Sequence, residues 1–161
     1  MKKQETKHKL TTLALLAATP GLAIASPQGG DVVAGAATIS TPTPQGTVID
    51  QSSAKAIINW QSFSIGSGEH THFNQPSASS VTLNRVMGPD VSRIMGHLSA
   101  TGIIMLVNQA GIFFGQGSVV DVAGLIATTS KISDADFLAG TYRFLQTGKN
   151  KTASIIAQGQ I

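Results

Sequence analysis

Between Ile94 and Thr129 the chain runs IMGHLSATGIIMLVNQAGIFFGQGSVVDVAGLIATT, a series of short apolar segments each set off by glycine or a small polar residue. The pairs Gly102-Ile103, Gly111-Ile112 and Gly124-Leu125 repeat a glycine-then-aliphatic step at intervals of 9 and 13, or 22 residues in all. No segment is long enough for a globular helix, and β-branched and aromatic residues dominate. This is a strand–corner–strand pattern, and a repeat of about 20 residues predicts a stacked solenoid.

Within that stretch, Ile103 to Val107 is apolar at five successive positions. Because side chains alternate along a strand, both of its faces must be covered. One face lines the solenoid interior, and an extra sheet or hairpin is expected over the other. Asn108 to Gly111 is then a corner, with Asn108 placed to hydrogen-bond backbone groups of the turn. Ile112–Phe114, Val119–Val122 and Leu125–Thr128 read as the strands that follow.

Upstream, Ala56 to Ile65 reads as strand, corner and strand. Ile58 and Trp60 share one face, while Phe63 and Ile65 fall on the opposite parity. A corner near Gln61 would return all four to one interior, with Trp60 as core. Val81 to Val86 alternates Val81 and Leu83 with Thr82 and Asn84, the pattern of a half-buried strand, and Arg85 lies at its end where its head can reach water. In Val91 to Leu98, Gly96 favours a strand carrying Ile94 and Leu98 over a helical turn. The segment Ser26 to Thr47, with its prolines and glycines, is expected to form one or two short strands and a Thr/Pro turn that cap the open end of the stack.

Ile132 to Gly140 carries the strongest helix signal: Ser133 as N-cap, Asp134 and Asp136 at the positive end, and Gly140 to close it. Phe137 and Leu138 are expected to face the stack. Thr141 to Gln146 reads as strand, and Gly148 to Lys151 as a polar turn. Ala153 to Ile161 starts another strand–glycine–aliphatic unit, so a longer polypeptide is expected beyond it. His70 and His72, two apart on a strand, would share a face. Two histidines fall short of the three or four ligands zinc needs, and no metal site is expected.

Residues 1–25 have the organisation of a secretory signal. Lys2, Lys3, Lys7 and Lys9 form a basic start and Leu10–Ala18 a short apolar core. Pro20-Gly21 breaks that core, and Ala23-Ile24-Ala25 places small residues ahead of a cleavage between Ala25 and Ser26. The apolar run is too short to span a bilayer. The whole chain carries a net charge of +3. Without those 25 residues, seven Lys/Arg balance seven Asp/Glu. A neutral remainder gives no electrostatic case for nucleic acid or an anionic membrane. With no cysteine, 17 glycines and 42% hydrophobic residues, an exported chain must rely on its core and backbone ladders, as solenoids do.

Taken in order, Ile58-Asn59-Trp60-Gln61-Ser62-Phe63-Ser64-Ile65-Gly66, Thr82-Leu83-Asn84-Arg85-Val86, Gly102, Leu106 to Ile112, Phe114-Gly115 and Gly124 to Thr129 resemble the filamentous-haemagglutinin-type secretion domain. This is the N-terminal module of two-partner secretion exoproteins, and the resemblance covers residues 26–161. It implies an all-β fold, a right-handed parallel β-helix with an N-terminal cap and extra-helical β elements. It marks Trp60, Phe63, Leu83, Asn84, Arg85, Gly124 and Leu125 as structural family positions. Asn108, Gln109, Ala110, Gly111 and Ile112 form its diagnostic corner, where the family's usual Asn-Pro-Asn-Gly-Ile reads Asn-Gln-Ala-Gly-Ile.

The implied role is a secretion signal and folding nucleus without cofactor. Export through the Sec machinery would be followed by recognition in the periplasm by a dedicated outer-membrane β-barrel transporter with polypeptide-transport-associated domains. The exoprotein, an adhesin or haemagglutinin, would then be secreted or held at the surface of a Gram-negative cell, where downstream regions could meet host glycan. Two other classes compete. A polysaccharide-active β-helix enzyme needs clustered carboxylates or a calcium site with basic residues beside it. Here Asp31, Asp50, Glu69, Asp90 and Asp121 are scattered, and capping accounts for Asp134 and Asp136. A directly adhesive surface, binding glycan or host protein, could use the Thr- and Ser-rich strands, yet nothing in the sequence marks a pocket.

Overall fold

The computed structural model describes residues 25–146 and 152–161. The leader up to Ile24 and most of the expected Gly148–Lys151 turn lie outside the described residues.

Thirteen strands and one short helix are present among them. The cap comprises β1 (Asp31–Ala34) and β2 (Ala37–Thr43). The body comprises β3 (Gly46–Gln51), β4 (Lys55–Trp60), β5 (His70–Asn74), β6 (Val81–Val86), β7 (Ser92–Ile94), β8 (His97–Ala100) and β9 (Ile103–Val107). It continues with β10 (Ile112–Phe114), β11 (Val119–Asp121), β12 (Gly124–Thr128), helix α1 (Asp134–Ala139) and β13 (Ile155–Ala157).

These elements form the right-handed parallel β-helix that the repeat and the resemblance predict, with about three turns. Three sheets run along the stack, in the orders β1-β4-β6-β9-β12, β11-β8-β5-β3-β2 and β13-β10-β7. Each coil contributes one strand to each sheet, and the body strands pair in parallel register. The first coil reaches the third sheet by a single bridge, Ile65 to Ile94, where the sequence suggested a second strand. Only the cap is antiparallel: β1 pairs with β4 and β2 with β3. A parallel ladder leaves its terminal edge open, and the reversed cap strands cover it. Gly35, at φ +78°, permits the turn between them; a Cβ there would sit 2.2 Å from the Lys55 carbonyl oxygen.

The core inside the coils joins Ile49, Ile58, Trp60, Phe63, Ile65, Phe73, Ile94, Leu98, Ile104, Leu106, Ile112 and Phe114. Trp60 and Phe63 meet edge to face at 5.5 Å, and Phe63 stacks on Phe73 at 6.5 Å. The bend after Trp60 therefore brings both parities of the Ala56–Ile65 segment to one interior, as expected.

A second apolar layer lies outside the first sheet. Ile57, Val81, Leu83, Met105 and Val107 pack there under Ile132 and Phe137. Ile103–Val107 is covered on both faces, but its outer cover is α1 and its flanking loop, not the expected sheet or hairpin. Thr141–Gln146 likewise forms no strand and touches one only through the antiparallel bridge of Leu145 to Lys131. A closed loop of this kind can bury Phe137 and Ile132 without presenting a new free edge.

The helix ends where its caps dictate. Ser133 accepts from the Asp136 N–H, and Gly140 adopts a left-handed φ of 74°. Phe137 is fully buried, whereas Leu138 is 46% exposed. Six helical residues cover less than two turns, so adjacent positions point about 100° apart and one alone can face the stack.

Val81–Val86 also departs from the expected pattern. Thr82 and Asn84 are fully buried, as is Leu83. Parallel register sets Asn84 beside Ile58 and Leu106, inside the coils, while Leu83 aligns with Ile57 and Met105 beneath α1. Both faces are covered, and the polar face is the inner one.

Candidate functional site

The corner Asn108–Ile112 is where the chain turns from the first sheet into the third. Asn108 follows the last residue of β9 and is fully buried. Its Oδ1 accepts the Ala110 N–H at 2.9 Å, and the Gly111 N–H closes the turn on the Asn108 carbonyl at 3.1 Å. Its Nδ2 donates to the Asp90 carbonyl and to Ser92 Oγ, both at 2.9 Å. Its own N–H donates to the Thr128 carbonyl at 3.0 Å. One side chain thus sets the turn and ties it to the coil below, while its backbone joins it to the coil above. An asparagine is suited to this because one amide supplies both an acceptor and two donors.

Gly111 has φ +121°, and a Cβ on it would come 3.0 Å from the Ser154 carbonyl. Ile112 then enters the core. Gln109 and Ala110, which stand where the family pattern has proline and asparagine, are half-buried at the outside of the turn.

Arg85 reaches the same region from β6. Its guanidinium pairs with Asp134 at 2.7 Å and donates to the Ile132 carbonyl at 3.0 Å and to Asn59 Oδ1 at 3.1 Å. The expectation that its head reaches water is only partly met, because its side chain is 18% exposed. Arg85, Met87, Val107, Gln109, Lys131 and Ile132 line a shallow groove between the corner and the start of α1. Two of the family positions predicted from sequence, Arg85 and Gln109, therefore meet on one surface.

The remaining positions serve the stack. Trp60 Nε1 donates to Asn84 Oδ1 at 2.9 Å, giving the buried indole and the buried amide each a partner. Phe63 lies in the inner core and Leu83 in the outer layer. Gly124 lets β12 approach Ile103, whose Cγ1 would lie 3.3 Å from an added Cβ. Leu125 packs against the inner core. Ala25 and Ser26 sit elsewhere, against Glu69 at the cap.

Sequence reasoning missed an internal polar run. Gln51 accepts from Thr82 Oγ1, and Gln75 Nε2 donates to the same hydroxyl at 2.9 Å. Gln75 Oε1 in turn accepts the Gly102 N–H at 2.7 Å. These groups link three successive coils at the bend between the second and first sheets. The available signal was positional: Gln51 and Gln75 each close a strand of the second sheet just before a turn.

Among the described residues, no group of three or more His, Cys, Asp or Glu is arranged to hold a metal ion. His70 and His72 do share a face, and His97 joins them from the next coil. His70 and His97 stack with centroids 4.5 Å apart and planes 13° from parallel, so their in-plane nitrogens do not converge on one point. Ser99 Oγ lies 2.7 Å from His70 Nε2 and 2.6 Å from His72 Nδ1. Burial lowers the His70 pKa below 6.5, with further lowering from His97 and then His72.

The family model for the TPS secretion domain matches residues 23–161. A heme/hemopexin-binding protein of Haemophilus influenzae is 36% identical over 157 residues, covering 95% of this chain and 17% of that protein. Its counterpart in strain Rd is 37% identical over 160 residues, covering 96% and 18%. The chain thus spans under a fifth of the length of these relatives. The crystal structure of the HMW1 secretion domain from Haemophilus influenzae superposes with a TM-score of 0.77 at 35% identity, covering 83% of this chain and 36% of that one. Domains of this kind engage a dedicated outer-membrane transporter, and their exoproteins are secreted by Gram-negative bacteria. Match, relatives and fold agree, and the chain belongs to the two-partner secretion (TPS) domain family, a family of secretion domains of exoproteins and not of enzymes.

Proposed function

We propose that this chain is the N-terminal secretion module of a longer exoprotein. Residues 1–25 direct it through the Sec machinery and are removed after Ala25. The rest is recognised in the periplasm by its outer-membrane barrel and nucleates β-helix folding outside the cell. The observation that carries this reading is the polarity of the stack. Its N-terminal end is closed by antiparallel strands, whereas β12 is the last strand of its sheet, with Ile155, Ile156 and Ile161 44–59% exposed nearby. A coil added there finds a ready template, so assembly proceeds in one direction without ATP. The names of the relatives suggest a heme- or hemopexin-binding passenger, a property we assign to the exoprotein beyond this module.

The groove joining Arg85 and Gln109 is the surface we assign to recognition by the barrel's polypeptide-transport-associated domains. The test is release of a reporter fused after Ile161, in cells with and without the partner barrel. Release is expected only with the barrel, and equal release without it overturns the proposal. Asn108→Leu is expected to reduce release at least several-fold, because the turn loses its acceptor and its donors. Unchanged release would remove the corner from the mechanism.

A further inference from the structure

Glu69 is the one carboxylate among the described residues that the fold buries without a cation. It is 8% exposed and forms no ion pair there, where Asp134 pairs with Arg85 and Asp136 with Arg143. It lies just ahead of β5, and its backbone is fixed on both sides. Its N–H donates to the Gly66 carbonyl at 2.9 Å, and its carbonyl accepts the His97 N–H at 2.9 Å. Its carboxylate accepts the Gly66 N–H at 2.8 Å, and a Cβ on Gly66 would come 2.9 Å from its Cδ. The carboxylate is therefore held in place before anything else reaches it.

What reaches it is the start of the described chain. The Ala25 N–H donates to Glu69 Oε1 at 2.9 Å, and Ser26 Oγ lies 3.5 Å from Oε2. The segment is anchored beyond this point, because the Gln28 N–H donates to the Ser62 carbonyl and the Gln28 carbonyl accepts the Gln61 N–H, both at 2.9 Å. Ser26 itself is 7% exposed. A buried carboxylate that receives only neutral donors is an incomplete arrangement, and a cation is the group that completes it.

We propose that Glu69 is the receptor for the α-ammonium of Ser26 created when the leader is removed, so that proteolytic processing locks the cap onto the first coil. This rests on the reading that cleavage falls between Ala25 and Ser26. Hydrolysis breaks the Ala25–Ser26 peptide bond. Water supplies OH to the Ala25 carbonyl, which leaves with the leader as a carboxylate. The Ser26 nitrogen becomes an amine and takes up a proton at neutral pH. The Ala25 N–H departs in the same step. The new ammonium, three covalent bonds along the chain from it, takes its place with a full positive charge and three donors. A charge-assisted bond to a preformed, shielded carboxylate is stronger than the neutral one it replaces.

The experiment uses four full-length chains exported with their leaders: the native chain, a Gly-Asn insertion after Ala25, Glu69→Gln, and both changes together. Mass spectrometry of each product establishes its first residue, and urea unfolding gives the equilibrium constant. The insertion carries the charge away from Glu69 while leaving Ser26 and Glu69 in the chain. A native start at Ser26 is expected. The insertion should favour unfolding about tenfold when Glu69 is intact and much less when it is combined with Glu69→Gln. A native start at another residue overturns the processing reading and this assignment with it. A start at Ser26 with no effect of the insertion overturns the lock alone. Should Glu69→Gln not fold, the native and insertion chains decide by themselves.

Discussion

At the scale of single residues, the histidine trio shows how stacking coils creates chemistry that no single strand carries. Register brings His70 beside His97, and the flat contact strips water from a ring that is otherwise open. His70 is thereby held below its ordinary pKa of 6.5 by burial, then by His97 and His72. The folded state binds protons less readily here than the unfolded chain. The stabilisation is therefore complete above about pH 6.5 and declines as pH falls through that value towards the lower folded pKa. Urea midpoints are expected to drop between about pH 7 and pH 5.5, and His70→Gln should flatten that drop; an unchanged slope in the variant would exclude His70 as its source. The sequence showed His70 and His72 on one face, but His97 is 25 residues beyond His72 and joins them only through coil geometry. Asn108 was legible because its job is local, setting the turn it belongs to. The polar interior was not legible: alternation in Val81–Val86 marks two faces without saying which is inside, and here the amide went inward because Trp60 offered it a donor.

At the scale of elements, α1 shows the limit and the reach of local rules. Ser133, Asp134, Asp136 and Gly140 define its ends in sequence as in structure. What sequence lacked was its purpose, which depends on β4, β6 and β9. Lys55 Nζ donates to the Leu138 carbonyl at 2.7 Å and to the Phe137 carbonyl at 3.3 Å, and Arg85 pairs with Asp134. Cations from two neighbouring strands thus hold the negative C-terminal end of the helix and an aspartate at its start. Between them Phe137 seals Ile57, Leu83, Met105 and Val107 from water. Phe137→Ala is expected to cost about 3–5 kcal/mol, measured by urea unfolding. Because the lost contacts lie outside the coils, the parallel ladders should keep their hydrogen-exchange protection while the outer face of β9 binds a hydrophobic dye. Loss of protection throughout the stack would show that the outer layer is not separable from it.

At the scale of the molecule, the repeat spacing and the glycine–aliphatic steps already implied stacked coils, because only a parallel stack places such steps side by side. The cap was legible too, since an open ladder needs a cover and Ser26–Thr47 is the segment rich enough in turns to provide one. Less visible was how the coils choose their alignment. A purely aliphatic interior would tolerate a coil slipped by two residues, since each strand would still turn its apolar side inward. The run from Gln51 through Thr82 and Gln75 to Gly102, with Asn84 facing Trp60, does not tolerate it: a slip strands amides and hydroxyls without partners in a dry interior. Asn84→Leu should therefore change stability by less than about 2 kcal/mol, because leucine fits between Ile58 and Leu106 and only one buried bond is lost. Its amide NMR spectrum should nonetheless show doubled resonances in β6 and β9, and a single set of peaks would argue against the role. The buried polar run is thus a proofreading device. It adds little to the strength of the stack and makes each misaligned coil costly enough to be undone before the next is laid upon it.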